Sequence, residues 1–277
     1  MTGIEAVEAL VDGPARAVFT TRAGGVSDGP YAGLNLGTAT GDRPGSVREN
    51  RMRLCAALGI DPERVTMGRQ VHGVTVRTVE APTRPGRFTG GLHGWPAGDG
   101  LASRRPGLAL VVLGADCLPV LLWRRDQPAV AAAHAGWRGL VAGVIDDAVR
   151  TLGRPGRIGA AIGPGVGPCC YPVSRELRDR FASLFGPRVV RAPAVDLPLA
   201  ARFALERAGV PRSAIQSVEA CTACEPARLY SHRRDGPRCG RQAGIVWALP
   251  DCSATPAAGS PGRRPIGRDV AGQSATA

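Results

Sequence analysis

The chain has no lysine: all 35 of its Lys+Arg positions are arginine. That excludes Schiff-base chemistry on lysine and the Lys-Ser/Thr signature of a P-loop, and it leaves only cations that stay charged at any ordinary pH. Aromatic residues are scarce, at 4%. The arginines are scattered, with no aromatic interleaving and no recognition helix or RNP-type motif. The net charge of +12 therefore points to small anions such as phosphate, not to nucleic acid. A secretory signal is missing too, because "MTGIEAVEALVDGP" carries acids where a basic segment belongs. The longest apolar run, "LALVVLGADCLPVLLW", is too short to span a bilayer and holds Asp116 near its middle. These absences predict a cytoplasmic, non-membrane protein. Its eight cysteines are then expected as reduced thiols, some with metal or catalytic roles, and not as a disulfide framework.

What is present suits a globular protein. The chain has 277 residues, 44% of them hydrophobic, enough to bury a substantial core. "RAVFTTRAGGVSDGPYAGLNLG" opens with a strand and passes into a glycine-rich loop, and "SVRENRMRLCAALGI" has helical spacing that ends at Gly59. "RVTMGRQVHGVTVRTVE" reads as two strands around a turn, residues 82–98 as a surface excursion, and "LALVVLGADCLPVLLW" as two strands meeting at Ala115–Asp116–Cys117. "AVAAAHAGWRGLVAGVIDDAVRTLG" runs strand, turn, helix, and "RIGAAIGPGVGPCCYPVSRELRDRFASLFG" repeats that logic. "DLPLAARFALERAGV" follows as a helix, with "SVEACTAC" and "QAGIVWAL" as closing strands. No internal repeat is evident. The fold class predicted is α+β, with mixed β-sheets packed together and flanked by helices, as one domain over residues 1–249. Residues 250–277, rich in small and turn residues, predict a disordered tail.

Three β-rich runs end at a reactive side chain: "GRQVHG" at His72, "GADCLP" at Cys117 and "AAHAGWRG" at His134. Two imidazoles and a thiolate make three of the four corners of a zinc tetrahedron, with the last open to water or substrate. Position alone also allows a packed core histidine and a packed cysteine. Cys221-x-x-Cys224 is by itself half a zinc site or a redox pair. Cys169–Cys170 could complete it, but vicinal cysteines seldom share an ion, which favours a structural role. Arg22 and Arg138 sit in glycine-rich turns and suit an anion clamp. Arg233, Arg234 and Arg241 read as a solvated basic loop, with contact to phosphate as the lesser alternative.

Taken together, "TTRAGGVSDGPYAGLNLG", "QVHG", "GDGLAS", "GADCLPVLL", "AAHAGWRGLVAGVI", "IGPGVGPCCYPV", "CTAC" and "YSHRRDGPRCGRQAGIVW", in this order, resemble the bacterial family first named laccase-domain or polyphenol oxidase proteins. Its members were later described as purine nucleoside phosphorylases and as peptidoglycan editing factors. The resemblance spans residues 16–249. It implies a fold similar to that of cysteine hydrolases and cytotoxic-necrotizing-factor-like toxin deamidases. It implies zinc (or copper) on His72, Cys117 and His134, and phosphorolysis of adenosine, inosine, guanosine and methylthioadenosine, with deamination of adenosine. Purine nucleosides and phosphate are then the expected partners of a monomer. Within that frame Asn35 and Asp99 are candidates for ribose or base contacts or for support of the ligands, with turn capping as the alternative. Asp116 would orient a ligand or accept a proton. His232, Cys239 and Pro172 depart from the family's common residues, which bears on substrate preference and not on the three ligands.

Overall fold

The computed structural model describes residues 3–82, 88–89 and 96–250. In chain order, β1 (Ala6–Glu8) and β2 (Ala15–Thr20) precede α1 (Pro44–Leu58), and β3 (Val65–Met67), β4 (Val76–Thr78), β5 (Gly100–Ser103) and β6 (Ala109–Gly114) follow. β7 (Leu118–Arg124) and β8 (Val130–Ala135) lead into α2 (Trp137–Ala142) and α3 (Val144–Leu152). Then come β9 (Ile158–Ile162), α4 (Arg175–Phe185), the ribbon β10 (Val190–Arg191) and β11 (Ala194–Val195), and α5 (Leu197–Arg207). β12 (Ile215–Ser217), the one-turn α6 (His232–Asp235) and β13 (Gln242–Ala248) complete the described elements. One sheet has the order β1-β2-β13-β6-β3 and the other β12-β9-β7-β8-β5-β4. Both are mixed: β3–β6, β4–β5 and β9–β12 are parallel, the other neighbours antiparallel.

Alternation along the strands sorts the layers. Phe19, Leu110, Val112 and Val246 of the first sheet meet Leu121, Trp123, Val130 and Ala132 of the second in one buried cluster, so the sheets pack face to face. The residues between them in sequence, Val18, Val111 and Ile245, turn outward to Leu54 and Cys55 of α1. The far face of the second sheet buries Val120, Leu122 and Ala133 against α3, α4 and α5. The result is four layers, helix–sheet–sheet–helix, as the mixed α+β reading predicts. α1 starts with Pro44 at its first position and stops at Gly59, whose φ of 66° closes the helix in the left-handed region.

Two expectations need correction. Residues 82–98 are not all surface. Phe88 is fully buried beside α1, worth about 1.5–3 kcal/mol for a side chain of its kind. The buried Arg51 guanidinium stacks on the Phe88 ring at 4.6 Å and donates to the Phe88 carbonyl at 2.7 Å. The polar neighbours of Phe88 hid this anchor in the sequence. In "SVEACTAC" the strand ends at Ser217, and Cys221–Cys224 form a turn closed by the Cys224 N–H on the Cys221 carbonyl at 3.1 Å. The disordered tail proposed for 250–277 lies, beyond Pro250, outside the described residues. Among the described residues no helix is long and apolar enough to cross a membrane.

Candidate active site

Register explains the first meeting. β7 and β8 pair with Leu118 opposite Ala135 and Pro119 opposite His134, so Cys117, just before β7, comes to the same sheet end as His134. Cys117 is reached through Asp116, whose φ of +94° is costly for a residue with a side chain. The Asp116 carboxylate holds that turn: it accepts from the Thr222 hydroxyl at 2.6 Å, the Ser231 hydroxyl at 2.7 Å and the Arg233 amide at 2.5 Å.

His72 arrives from the loop between β3 and β4, also at positive φ, +58°. Asp99 fixes it there. The Asp99 carboxylate accepts from the amides of Val71, His72 and Gly73 at 3.1, 2.8 and 2.7 Å. It also lies 2.9 Å from Nδ1 of His134, while the Asp99 carbonyl accepts from the His134 amide at 2.7 Å. Burial alone would raise the Asp99 carboxyl. The His134 hydrogen bond and the Gly73 and Val71 amides outweigh it and hold the group down at about 2. A carboxylate on Nδ1 puts the proton there and leaves Nε2 of His134 as a donor atom for a metal.

The ligand atoms of His72, Cys117 and His134 all lie within 4.8 Å of one another. Cys117 Sγ is 3.8 Å from His72 Nε2, and the two imidazoles meet edge to face with centroids 4.9 Å apart. Around one zinc, with bonds of about 2.0–2.3 Å, a nitrogen–sulfur edge is about 3.5 Å, so the donor set fits such an ion with little movement. Burial opposes a thiolate at Cys117, but the imidazoles of His134 and His72 draw its pKa below the ordinary value. Burial likewise opposes an imidazolium at His134, but Cys117 and Asp99 push its pKa up. Gly136 makes the cluster possible: a Cβ there would stand 2.8 Å from Cys117 Sγ and 3.2 Å from His72 Cδ2.

The cluster opens on a cavity of about 1000 Å³. Among the described residues, Arg69, Arg138, Arg233 and Arg241 line it. Arg138 stacks on Trp137 at 4.5 Å and Arg233 on Tyr171 at 5.0 Å, an arrangement that leaves the N–H edges of the guanidinium available to an anion. Arg241 spends one nitrogen on the Cys239 and Gly240 carbonyls. The structure thus brings His72, Cys117, His134, Asp116 and Arg138 to the cavity, with Asp99 directly behind it.

Two candidates stand elsewhere. Arg22 does not line the cavity; its guanidinium donates to the Ala32 and Pro226 carbonyls and stacks on Tyr230 at 4.5 Å. The glycine-rich loop folds back on itself, and Arg22 satisfies carbonyls that no strand pairs. Asn35 is buried in the same loop, where its amide bonds Gly37, Thr40, Asp42 and the Arg241 amide. It shapes the Gly37–Thr40 wall of the cavity without lining it. Of the arginines read as a basic loop, Arg233 and Arg241 line the cavity: Arg233 stays exposed on α6, whose backbone Asp116 holds, and Arg241 is placed by its amide donating to Asn35. Arg234 turns away to Asp235 and to the Thr222 and Leu229 carbonyls. Arg69, Trp137 and Tyr171 also line the cavity, and none was singled out although each lies inside a quoted motif, "GRQVHG", "AAHAGWRG" and "IGPGVGPCCYPV".

The family model described as "Multi-copper polyphenol oxidoreductase laccase" matches residues 16–249. A protein of Streptomyces coelicolor named purine nucleoside phosphorylase is 44% identical, over 83% of this chain and 93% of its own length. The Escherichia coli protein named purine nucleoside phosphorylase YfiH is 37% identical over 84% of this chain and 93% of its own. The crystal structure of YlmD from Geobacillus stearothermophilus superposes with a TM-score of 0.78 at 35% identity, covering 86% of this chain and 93% of that one.

Proposed function

Because the chain belongs to the multi-copper polyphenol oxidoreductase laccase family and its relatives carry the name purine nucleoside phosphorylase, we propose that it is an enzyme that cleaves purine nucleosides with phosphate. The observation that carries this reading is the three-donor cluster at the floor of an arginine-lined cavity. In the reaction the ribose C1′–N bond of the nucleoside breaks, a phosphate oxygen forms the new bond to C1′, and the base leaves with a proton. Arg138 and Arg233 hold the phosphate dianion, and the Met67 and Leu113 side chains with the Trp137 and Tyr171 rings give the base an apolar wall. His72, Cys117 and His134 would hold zinc, which when bound supplies Lewis-acid charge at the cavity floor. Asp99 keeps His134 in the tautomer and orientation that such a ligand needs.

Deamination of adenosine to inosine, with water entering at C6 and ammonia leaving, belongs to the same proposal. So does the kinship of the fold with cysteine hydrolases and toxin deamidases, and so do a single domain over 1–249, a monomeric state and a cytoplasmic location. Copper oxidation is the weaker use of the site, since four histidines in the whole chain are too few for a multi-copper cluster.

The test is incubation of zinc-loaded protein with adenosine, with and without phosphate. Adenine and ribose 1-phosphate appearing only with phosphate is the expected result; no base release under either condition overturns the reading. A second reading, a Cys–His hydrolase or amidase acting on peptidoglycan precursors, draws on the placement of Cys117 beside His134 at one sheet end, where each shifts the other towards its charged form. Amide hydrolysis by metal-stripped protein, lost in Cys117→Ser, would favour it over phosphorolysis.

A further inference from the structure

A second cluster of donors lies on the loops that follow β9 and β12. The sulfurs of Cys169, Cys170, Cys221 and Cys224 all fall within 4.8 Å of one another. Cys224 Sγ stands 3.5 Å from Cys169 Sγ and 3.4 Å from Cys170 Sγ. Neither pair is at the bonding distance of a disulfide, about 2.05 Å, and Cys224 sits as close to one partner as to the other. Around one zinc with bonds of about 2.3 Å, sulfur–sulfur edges are about 3.8 Å, close to these separations. An iron–sulfur cluster spreads its thiolates over several metal ions and needs a wider set.

The backbone is arranged for the same purpose. The Gly167 amide donates to Cys221 Sγ at 3.2 Å, a bond that stabilises a thiolate in a metal knuckle. Gly167 also gives the sulfurs room, since a Cβ there would lie 3.3 Å from Cys169 Sγ and from Cys221 Cβ. Gly165 bridges Cys221 as in a parallel ladder, and the Thr222 amide donates to the Gly165 carbonyl at 2.9 Å, so the two loops are already in register without any ion. Cys169 and Cys224 are exposed and the other two half-buried, which gives an ion a way in from solvent.

We propose that Cys169, Cys170, Cys221 and Cys224 form a second, four-thiolate site that takes a single tetrahedral zinc ion, separate from His72, Cys117 and His134. Four protein ligands leave no corner for substrate, so the site is structural. The two loops it joins reach the active cavity: Tyr171, next to Cys170, lines it, and Thr222, next to Cys221, holds Asp116. The ion would clamp the wall that carries Tyr171 to the support of the Cys117 turn. The expectation that vicinal cysteines do not share an ion gives way here, because the turn around Gly167 points both Cys169 and Cys170 at Cys224.

Metal content and thiol protection test this on the full chain, purified under reducing conditions and loaded with zinc. The wild type is expected to hold one zinc ion more than either Cys117→Ala or Cys221→Ala, and Cys117→Ala to keep one. Cobalt loaded into Cys117→Ala should give the intense thiolate charge-transfer bands of a tetrahedral four-sulfur site. Should Cys221→Ala fail to fold, alkylation of the wild type still decides. Zinc should protect Cys169, Cys170, Cys221 and Cys224 from iodoacetamide, and a chelator should expose them. A Cys117→Ala protein that binds no zinc, or four thiols alkylated equally fast with and without zinc, overturns the proposal.

Discussion

The two donor clusters share only the cysteine thiol: one sets it between two imidazoles, the other gathers four. His72 comes from the β3–β4 loop, Cys117 from the turn before β7 and His134 from the end of β8; they meet at a cavity, with a buried carboxylate that takes no direct part in the donor set holding the His72 loop and His134. The four cysteines come from two loops already in register, close to solvent, with main-chain amides as their support. Three donors on a rigid sheet with room in front describe a working site; four donors with no room describe a clamp. The difference shows that the presence of a cysteine donor does not by itself assign a role. The number of donors, the space beside them and the rigidity of their elements do.

The largest effect should come from removing a donor at the first cluster. Cys117→Ala is expected to lower kcat for phosphorolysis by more than about 100-fold, beyond the 10–100-fold typical of residues behind a ligand. Steady-state rates at saturating phosphate and adenosine measure it. Ordinary turnover by Cys117→Ala would break the comparison, because the cavity cluster would then be no more catalytic than the surface one.

Next in size is a contrast of two glycines. Gly136→Ala puts a methyl group 2.8 Å from Cys117 Sγ, so the donors must part, and a shift near 1 Å at a reacting centre costs about 100-fold in rate. Gly167→Ala meets Cys169 Sγ at 3.3 Å, where crowding of this kind costs about 1–3 kcal/mol of stability. Rate and urea midpoint measured on both variants should separate them, with Gly136→Ala losing chiefly rate and Gly167→Ala chiefly midpoint.

Asp99→Asn should fall between ligand and wall. Its carboxylate is the common acceptor for three amides of the His72 loop and for His134, and an amide offers those N–H groups one acceptor in place of two. Zinc affinity of the cavity site, read by competition with a chelator in the absence of substrate, is expected to drop about 10–100-fold. Unchanged affinity would mean that the loop stays in place without its carboxylate.

How much of this was legible beforehand follows from how each part is encoded. Cys117 and His134 were readable because each ends a long apolar run, and a strand's alternation fixes which end it presents. The helix closed at Gly59 was readable from its cap. The burial of Phe88 was not, because a single anchor among prolines and glycines has no period, and its partner Arg51 is 37 residues away. The four cysteines were nameable in sequence but not assignable: Cys169–Cys170 and Cys221–Cys224 are each weak signals, and the parallel bridge between Gly165 and Cys221 is what brings them together. Arg22 and Arg138 looked alike in sequence, both in glycine-rich turns. Carbonyl groups left unpaired by the fold claimed the first and left the second to the cavity.

That last pair gives the smallest effect and the finest test. Arg138 is exposed and stacked on Trp137, so its worth to a bound dianion is that of a partly screened charge and one forked pair of hydrogen bonds. Arg138→Ala should raise KM for phosphate about tenfold, and wild-type KM should itself rise with ionic strength. Arg138→Lys should recover only part of the loss, because an ammonium restores the charge but not the fork. Arg22→Ala should instead cost about 1–2 kcal/mol of stability, the worth of charged hydrogen bonds to carbonyls. A KM for phosphate that rises as much in Arg22→Ala as in Arg138→Ala would move the anion out of the cavity and towards the glycine-rich loop.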